Sequence, residues 1–297
     1  MPTMLSSLDL SNQFAYLPTR STSAALITIF SQITSLLKSN DSVFVITFDY
    51  SKAFDTISHS SVATILANLP IPYNCYNWII DYLSDRSQYT LFKQTASVSE
   101  SINAGVVQGS VLGPTLFNMV SSTLKPLSDH NKYYKYADDG YLIVPGCNSL
   151  SIDKELEHHA KWAASHNLKL NLSKTMEIVF TKRGKQEPPP NAGITRVDSL
   201  KILGVTVDKY LNFQEHVNIS INACSSSFFA LRTMKSHGLN DDTLRSVFCA
   251  KILPKLTYCS QAWWGFVNQA IMNQLESFLR RAVRCGYYLE VEQILGP

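Results

Sequence analysis

The stretch YYKYADDGYLIV, Tyr133 to Val144, decides how this chain is read. Two short aromatic or aliphatic runs, Tyr133 to Ala137 and Tyr141 to Val144, flank Asp138-Asp139-Gly140, and Asp-Gly between such runs predicts a β-hairpin. Two neighbouring carboxylates repel unless something positive lies beside them. Upstream, SVFVITF (Ser42 to Phe48) is β-branched and aromatic and too short for a comfortable helix. It reads as a strand buried on both faces, and Asp49 follows it directly. An acid closing a buried strand costs free energy unless it is paired or holds a cation. If this strand lies beside the hairpin in one sheet, Asp49 and Asp138 converge, with Asp139 alongside. Three carboxylates at one sheet edge suit two hard divalent cations, Mg2+ being the usual one. Such a pair stabilises the attacking and leaving oxygens of a phosphoryl displacement. The plain alternatives are an ordinary Asp-Asp-Gly turn and an ordinary strand-ending cap. Asp55 reads as a structural or helix-capping acid.

Outward from these acids, the pattern predicts a helix over 21–37 with Ser21 or Thr22 as N-cap, and helices near 60–68 and 73–84. A hairpin over 88–92 and 97–104 precedes Gly105, and a helix starts at Val111 with Pro114 in its first turn. Further on come an amphipathic helix over 151–166, a strand over 177–182, and a surface loop from Gln186 to Ala192 with three consecutive prolines. Two short strands lie between Ile194 and Asp208, and the pattern is helical from about 213 onward. The order is a helix, a mixed α/β block and a helical tail, with the best boundary near 210.

Composition narrows the function classes. The 297 residues are 45% hydrophobic and only 16% charged, which excludes a wholly disordered chain. No apolar run approaches the length of a membrane span, and no secretory signal is legible. Six cysteines without a C-x-x-C pair predict free thiols in a reducing compartment, hence an intracellular protein, nuclear or cytoplasmic and not secreted. His158 and His159, adjacent on a helix, make a poor metal pair. Net charge is +3, but from Lys161 to Lys235 eleven basic residues face five acidic ones. That local excess suits a phosphate backbone, or is an ordinary solvated face.

Taken together, the blocks resemble the reverse transcriptases of non-LTR (LINE-like) retrotransposons. FDYSKAFDTISH (48–59), GVVQGSVLGPTLF (105–117), YADD (136–139), NLKLNLSKTMEIVF (167–180) and LKILGVTVD (200–208) resemble that family's successive polymerase blocks, in order. LPKLTYCSQAWWG and LESFLRRAVR resemble its thumb-side helices. The resemblance implies an α+β right-hand polymerase fold: partial fingers over 1–40, an α/β palm with an antiparallel sheet over 41–209, and a helical thumb or connection over 210–297.

It also implies roles. Asp49 and Asp138 would be the main ligands of two Mg2+ ions, which Mn2+ could replace, with Asp139 as third acid and the Tyr50 carbonyl as a further ligand. Phe54 would be the steric gate that excludes a 2′-hydroxyl. Gln108 and Gly109 would lie against the incoming nucleotide, and Lys174 would protonate the leaving pyrophosphate. Leu203-Gly204 would form the turn of the primer grip. Arg280, Arg281 and Arg284 would contact template–primer phosphates, a solvated helix face being the alternative. The implied function is RNA-directed DNA polymerase, with an RNA template, a DNA primer and dNTPs as partners.

QFAYLPTRS (13–21) resembles a fingers block that usually reads Q-x-G-F-R-P-x-R-S. Leu17 stands where the first arginine usually is, and Arg20 keeps the second, a basic group expected near the triphosphate. The earlier fingers segment and an endonuclease domain, expected in an intact element, are not recognised here. The rivals are therefore an inactive retrotransposon remnant that binds nucleic acid and, with less support, an RNA-directed RNA polymerase.

Overall fold

The computed structural model describes residues 7–191 and 193–289. The chain divides into two compact units, residues 1–25 with 32–197, and residues 26–31 with 198–297. The division falls ahead of the expected boundary near 210. The hairpin after Asp198 clusters with the helical part of the chain.

Helix α1 (Thr22–Ser39) starts at Ser21, whose hydroxyl accepts from the Ala24 N–H; its Leu26–Ser31 stretch clusters with the second unit. In the first unit, strand β1 (Ser42–Phe48) is followed by β2 (Tyr50–Ser51), α2 (Ala53–Thr56), α3 (His59–Ala67) and α4 (Tyr73–Leu83). The expected single hairpin is two short ladders instead: β3 (Arg86–Gln88) pairs with β6 (Glu100–Ile102), and inside them β4 (Leu91–Phe92) pairs with β5 (Thr95–Ala96). Then come α5 (Leu112–Ser122), β7 (Lys132–Tyr136), β8 (Asp139–Pro145), α6 (Ile152–Ser165), β9 (Lys169–Leu170), β10 (Met176–Thr181) and β11 (Thr195–Arg196).

Five of these strands form one sheet in the order β11-β10-β1-β8-β7, antiparallel except for β10–β11. Strand β1 is the central strand, which is why SVFVITF lacks polar alternation. Phe44, Ile46 and Phe48 share one face with Leu142, Val144 and Val179, and that face packs on Val62, Leu66, Leu116, Phe117 and Val120 of α3 and α5.

Buried polar groups tie the loops to this core. Glu155 of α6 accepts from the Leu127 and Ser128 N–H groups and from the Asn131 amide, so one carboxylate satisfies the loop before β7. Lys135 of β7 points its ammonium at the C-terminal end of α5, donating to the Ser121 and Leu124 carbonyls. Burial pushes Lys135 from its usual 10.5 down to about 7, against the pull of Asp9. Between those values the unfolded chain holds a proton that the folded chain releases, so folding stability should rise with pH from about 7 towards 10.5. Lys135→Met should flatten that slope in urea titrations run across the window. An unchanged slope would mean that the ammonium stays charged in the fold.

The proline loop lies at the surface as its composition suggests, and it is tied down at one point. Arg196 donates to the Pro188 and Pro189 carbonyls and grips the fully buried Glu177. Ala192, at the end of the expected loop, lies outside the described residues.

In the second unit, β12 (Ser199–Ile202) and β13 (Val205–Asp208) form a hairpin whose two turn residues are Leu203 and Gly204. Between Ile194 and Asp208 there are thus three short strands, not two. Helices α7 (Gln214–Ser236), α8 (Asp241–Val247), α9 (Leu253–Leu256), α10 (Ser260–Trp263) and α11 (Gln269–Arg284) complete the chain, with a π-helical turn over Phe248–Ile252 joining α8 to α9. Phe30, Phe213 and Phe266 form a triangle of edge and tilted ring contacts 5.1–6.5 Å apart. All six cysteines are free thiols. No described helix is long and apolar enough to cross a membrane.

Candidate active site

The site is built at the seam between β1 and β8. Their pairing ends with Phe48 opposite Gly140, so the next step along both strands brings Asp49 level with Asp139. Tyr136 pairs with Asp139, which leaves Ala137 and Asp138 as the two turn residues of the β7–β8 hairpin. This corrects the sequence expectation, in which Asp-Gly makes the turn. Ala137 takes the left-handed conformation at φ 54°, and Asp139-Gly140 already belongs to β8. Gly140 is required for a different reason: a β-carbon there would stand 2.5 Å from the Tyr133 hydroxyl.

The acids feel one another. Burial raises the Asp138 carboxyl, and the charge of Asp49 raises it further. Burial, then Asp138, then Asp49 push Asp139 up to about 6, with Lys174 opposing. Lys174 lies 3.3 Å from Asp49 and is itself largely exposed. Among the described residues no three His, Cys, Asp or Glu side chains are gathered closely enough to hold a cation as they stand. The aspartates offer hard oxygen donors from a strand end, a turn and a second strand, with one lysine near them. Such a donor set fits Mg2+, which keeps waters and is usually held by one or two carboxylates plus substrate phosphates.

Beneath the acids lies a buried polar chain. The Tyr50 hydroxyl stands 2.7 Å from Nε2 of His159, and the Tyr133 hydroxyl 3.0 Å from its Nδ1. Phe48 stacks on the imidazole at 3.8 Å. Burial pushes His159 down to about 3, so the ring is neutral and each nitrogen has one tyrosine partner. The Asp49 carbonyl accepts from the Asn171 N–H, and Tyr50 pairs with Leu170, which fixes the chain on both sides of Asp49.

Around the acids, half-buried Phe54 stacks on Phe117 at 4.5 Å and meets Tyr16 edge-on at 6.4 Å. Tyr16 is exposed over much of its surface and sits at φ 58°, and partial desolvation of its phenol, with the charge of Asp138, raises it. Gly105, at φ 83°, lies so close to the Asp55 carbonyl that a β-carbon would stand 2.5 Å from it. The Gln108 amide donates to Asp55, which makes that acid a structural partner, and Gly109 beside it is open at φ 80°.

Arg20 departs from the expectation of a group free to reach a triphosphate. One of its terminal nitrogens donates to the carbonyls of Leu10, Ser11 and Gln13, and its guanidinium lies over Phe14. Gln13 and Tyr16 went unrecognised in the sequence, although both lie in the same block as Arg20. Neither a buried amide nor an exposed ring announces its distant partner.

In the second unit, Leu203 and Gly204 occupy the β12–β13 turn as expected, at φ 45° and 89°, and the Tyr258 hydroxyl donates to the Leu203 carbonyl. Arg281 and Arg284 line a cleft of about 620 Å³ between α7 and α11 with Asn218, Asn222, Ser225 and Asn273. Arg281 also packs over Phe228 and Phe278, while Arg280 pairs with Glu276. About half of the basic residues from 161 to 235 pair locally with acids. Lys161, Lys174, Lys185, Arg196, Lys209 and Lys235 each stand within salt-bridge distance of an acid.

The sequence matches the family described as reverse transcriptase (RNA-dependent DNA polymerase) over residues 2–207. This chain belongs to the reverse transcriptase family. Its relatives include a probable RNA-directed DNA polymerase from transposon BS of Drosophila melanogaster, 29% identical over 81% of this chain. The probable RNA-directed DNA polymerase from transposon X-element of the same species is 25% identical over 92% of this chain, and that from its mobile element jockey 26% identical over 83%. The chain spans 29–31% of the length of these relatives. Among solved structures it is similar to telomerase from Candida tropicalis in complex with a fragment of telomeric RNA, with a TM-score of 0.54 and 13% identity, over 95% of this chain and 48% of that one. The fold of this family member is the right-hand polymerase fold, and its sequence kinship is with LINE-like elements. Family membership carries a general dependence on a divalent cation.

Proposed function

We propose that the chain is the RNA-directed DNA polymerase portion of a LINE-like element, extending a DNA primer on an RNA template with dNTPs. The observation that carries this reading is the β1–β8 pairing that ends with Phe48 opposite Gly140, one residue short of Asp49 and of Asp139, with Asp138 on the adjoining turn. In this reading residues 41–209 correspond to the palm, the segment before them to partial fingers and the helical tail from 210 to the thumb. Asp49, Asp138, Asp139 and the Tyr50 carbonyl would hold two Mg2+ ions, with Mn2+ as a substitute. Bound there, the cations supply Lewis-acid stabilisation to the attacking primer 3′-hydroxyl oxygen and the departing pyrophosphate oxygen.

The remaining work falls to the chain's own groups. Lys174 offers an ammonium beside Asp49, where it can neutralise and protonate the leaving pyrophosphate. Gln108 and Gly109 border the nucleotide. Phe54, backed by Phe117, closes the floor under the sugar. Leu203-Gly204 grips the primer, and Arg280, Arg281 and Arg284 meet nucleic-acid phosphates.

Primer extension on poly(rA)/oligo(dT) with Mg2+ tests the reading: incorporation of dTTP is the expected result. No incorporation, with salt-sensitive duplex binding intact, would establish the binding remnant instead, a reading that the engagement of Arg20 with three carbonyls favours. Preference for NTPs would indicate an RNA polymerase. Phe54→Ala should lower dNTP-over-rNTP selectivity by about 10- to 100-fold, since a steric wall against one hydroxyl is worth about that much. Unchanged selectivity in competition assays would remove Phe54 from the gate.

A further inference from the structure

The β7–β8 turn has an unusual neighbour. Gln13 lies 124 residues away in sequence, is 1% exposed, and spends its side chain on the residue before Asp138. Its Oε1 accepts from the Ala137 N–H at 3.0 Å, and its Nε2 donates to the Ala137 carbonyl at 3.4 Å. The same Oε1 accepts from the Ala15 N–H at 3.0 Å.

The backbone leads up to this contact. The Lys135 N–H donates to the Asn12 carbonyl and the Phe14 N–H to the Lys135 carbonyl, both at 2.8 Å, so Gln13 and Lys135 form an isolated parallel bridge at the edge of β7. At Ala137 the main chain turns left-handed and backbone pairing cannot continue. The Gln13 carboxamide takes over there, supplying both an acceptor and a donor to one peptide unit.

Gln13 is itself held in place. Arg20 donates to the Gln13 carbonyl, and the buried Asn118 amide donates to the Ala15 carbonyl at 3.0 Å. A left-handed backbone is disfavoured for a residue with a β-carbon, so the Ala137 conformation needs such outside support. A buried amide is costly unless both its polar ends are satisfied, and here the turn satisfies them.

We infer that Gln13 is a positioning residue for the Asp138 carboxylate, its side-chain amide locking the left-handed Ala137 backbone that sets where Asp138 stands. The inference rests on the polymerase reading only for the consequence in catalysis. The lock itself is a matter of geometry, and it gives Arg20 a defined task as the clamp that holds the Gln13 segment.

The test uses the full chain and three variants, Gln13→Met, Ala137→Gly and the two combined, with two readouts: Mn2+ affinity of the chain alone by calorimetry, and kcat and KM for a single dNTP. Methionine conserves the volume of glutamine without its hydrogen bonds. Gln13→Met is expected to weaken Mn2+ binding and lower kcat by about 10- to 100-fold, as groups that orient ligands do, with the dNTP KM little changed. Ala137→Gly in that background should recover most of the loss, because glycine adopts the left-handed backbone freely. A Gln13→Met chain with wild-type Mn2+ affinity and kcat overturns the inference, as does a loss that glycine does not recover. Weakened Mn2+ binding in a chain whose wild type extends no primer keeps the inference and removes the polymerase reading. A wild-type chain that binds no Mn2+ and extends no primer overturns both.

Discussion

Asp138→Asn, and separately Asp49→Asn, should lower primer extension about a thousandfold, equivalent to about 4 kcal/mol of transition-state stabilisation, while leaving the thermal midpoint unchanged or raised. The two halves of this prediction have one cause. The acids are crowded at the β1–β8 seam, where burial and mutual repulsion raise Asp138 and push Asp139 up to about 6. Neutralising one of them relieves repulsion in the folded chain, and the same change removes an oxygen charge that a cation needs. A site kept for function commonly stores such strain. Lost extension with a clearly lowered midpoint would instead make these acids the ordinary strand and turn caps that the sequence also allows.

Glu177→Ala should cost about 3–5 kcal/mol of folding stability, because it takes from the buried Arg196 guanidinium its close, fully buried carboxylate and leaves only Glu187, 3.5 Å away, as an acidic partner. Glu177 is fully buried in β10, and Arg196 reaches it from β11 with Nε at 2.7 Å and Nη2 at 2.6 Å. Asn191 donates to the other carboxylate oxygen, and Arg196 also holds the Pro188 and Pro189 carbonyls. The pair therefore joins the outermost parallel strand and the proline loop to the sheet. Replacing both partners by apolar side chains, Glu177→Leu with Arg196→Met, should recover much of the loss, since no uncompensated charge then remains buried. The comparison is made by urea unfolding of the two single variants and the double. If Glu177→Ala unfolds at the wild-type urea midpoint, the ion pair contributes nothing to the fold.

Much of the candidate site was legible because its chemistry is local. Asp49 follows an apolar run of strand length, and the carboxylates of YADD sit between two such runs. Pairing of β1 with β8 brought them to one seam. The turn itself was misread. Asp-Gly favours a hairpin turn in isolation, but sheet register placed Asp139-Gly140 in the strand, and Ala137 took the left-handed position under the hold of Gln13. Single-strand pattern carries no information about which residue pair closes a ladder once a third strand, β1, competes for the register. Arg20 adds a contact that the sequence did not show: the family resemblance implies a place near the triphosphate, and in the fold its guanidinium donates to carbonyls ten or fewer residues away.

By itself, the sequence determined most of the strands and helices, the buried centre of the sheet and the acids proposed for the site. These follow from hydrophobic runs, turn residues and charge, all properties of neighbouring side chains. Tertiary structure alone decided that Gln13 meets Ala137, that His159 lies between Tyr50 and Tyr133, that Glu177 and Arg196 are mutually buried, and that the chain divides at Val197 and Asp198. The physical reason is that a buried polar group must find its partner in space. That partner is chosen by how the elements pack, and the distance along the chain does not reveal it.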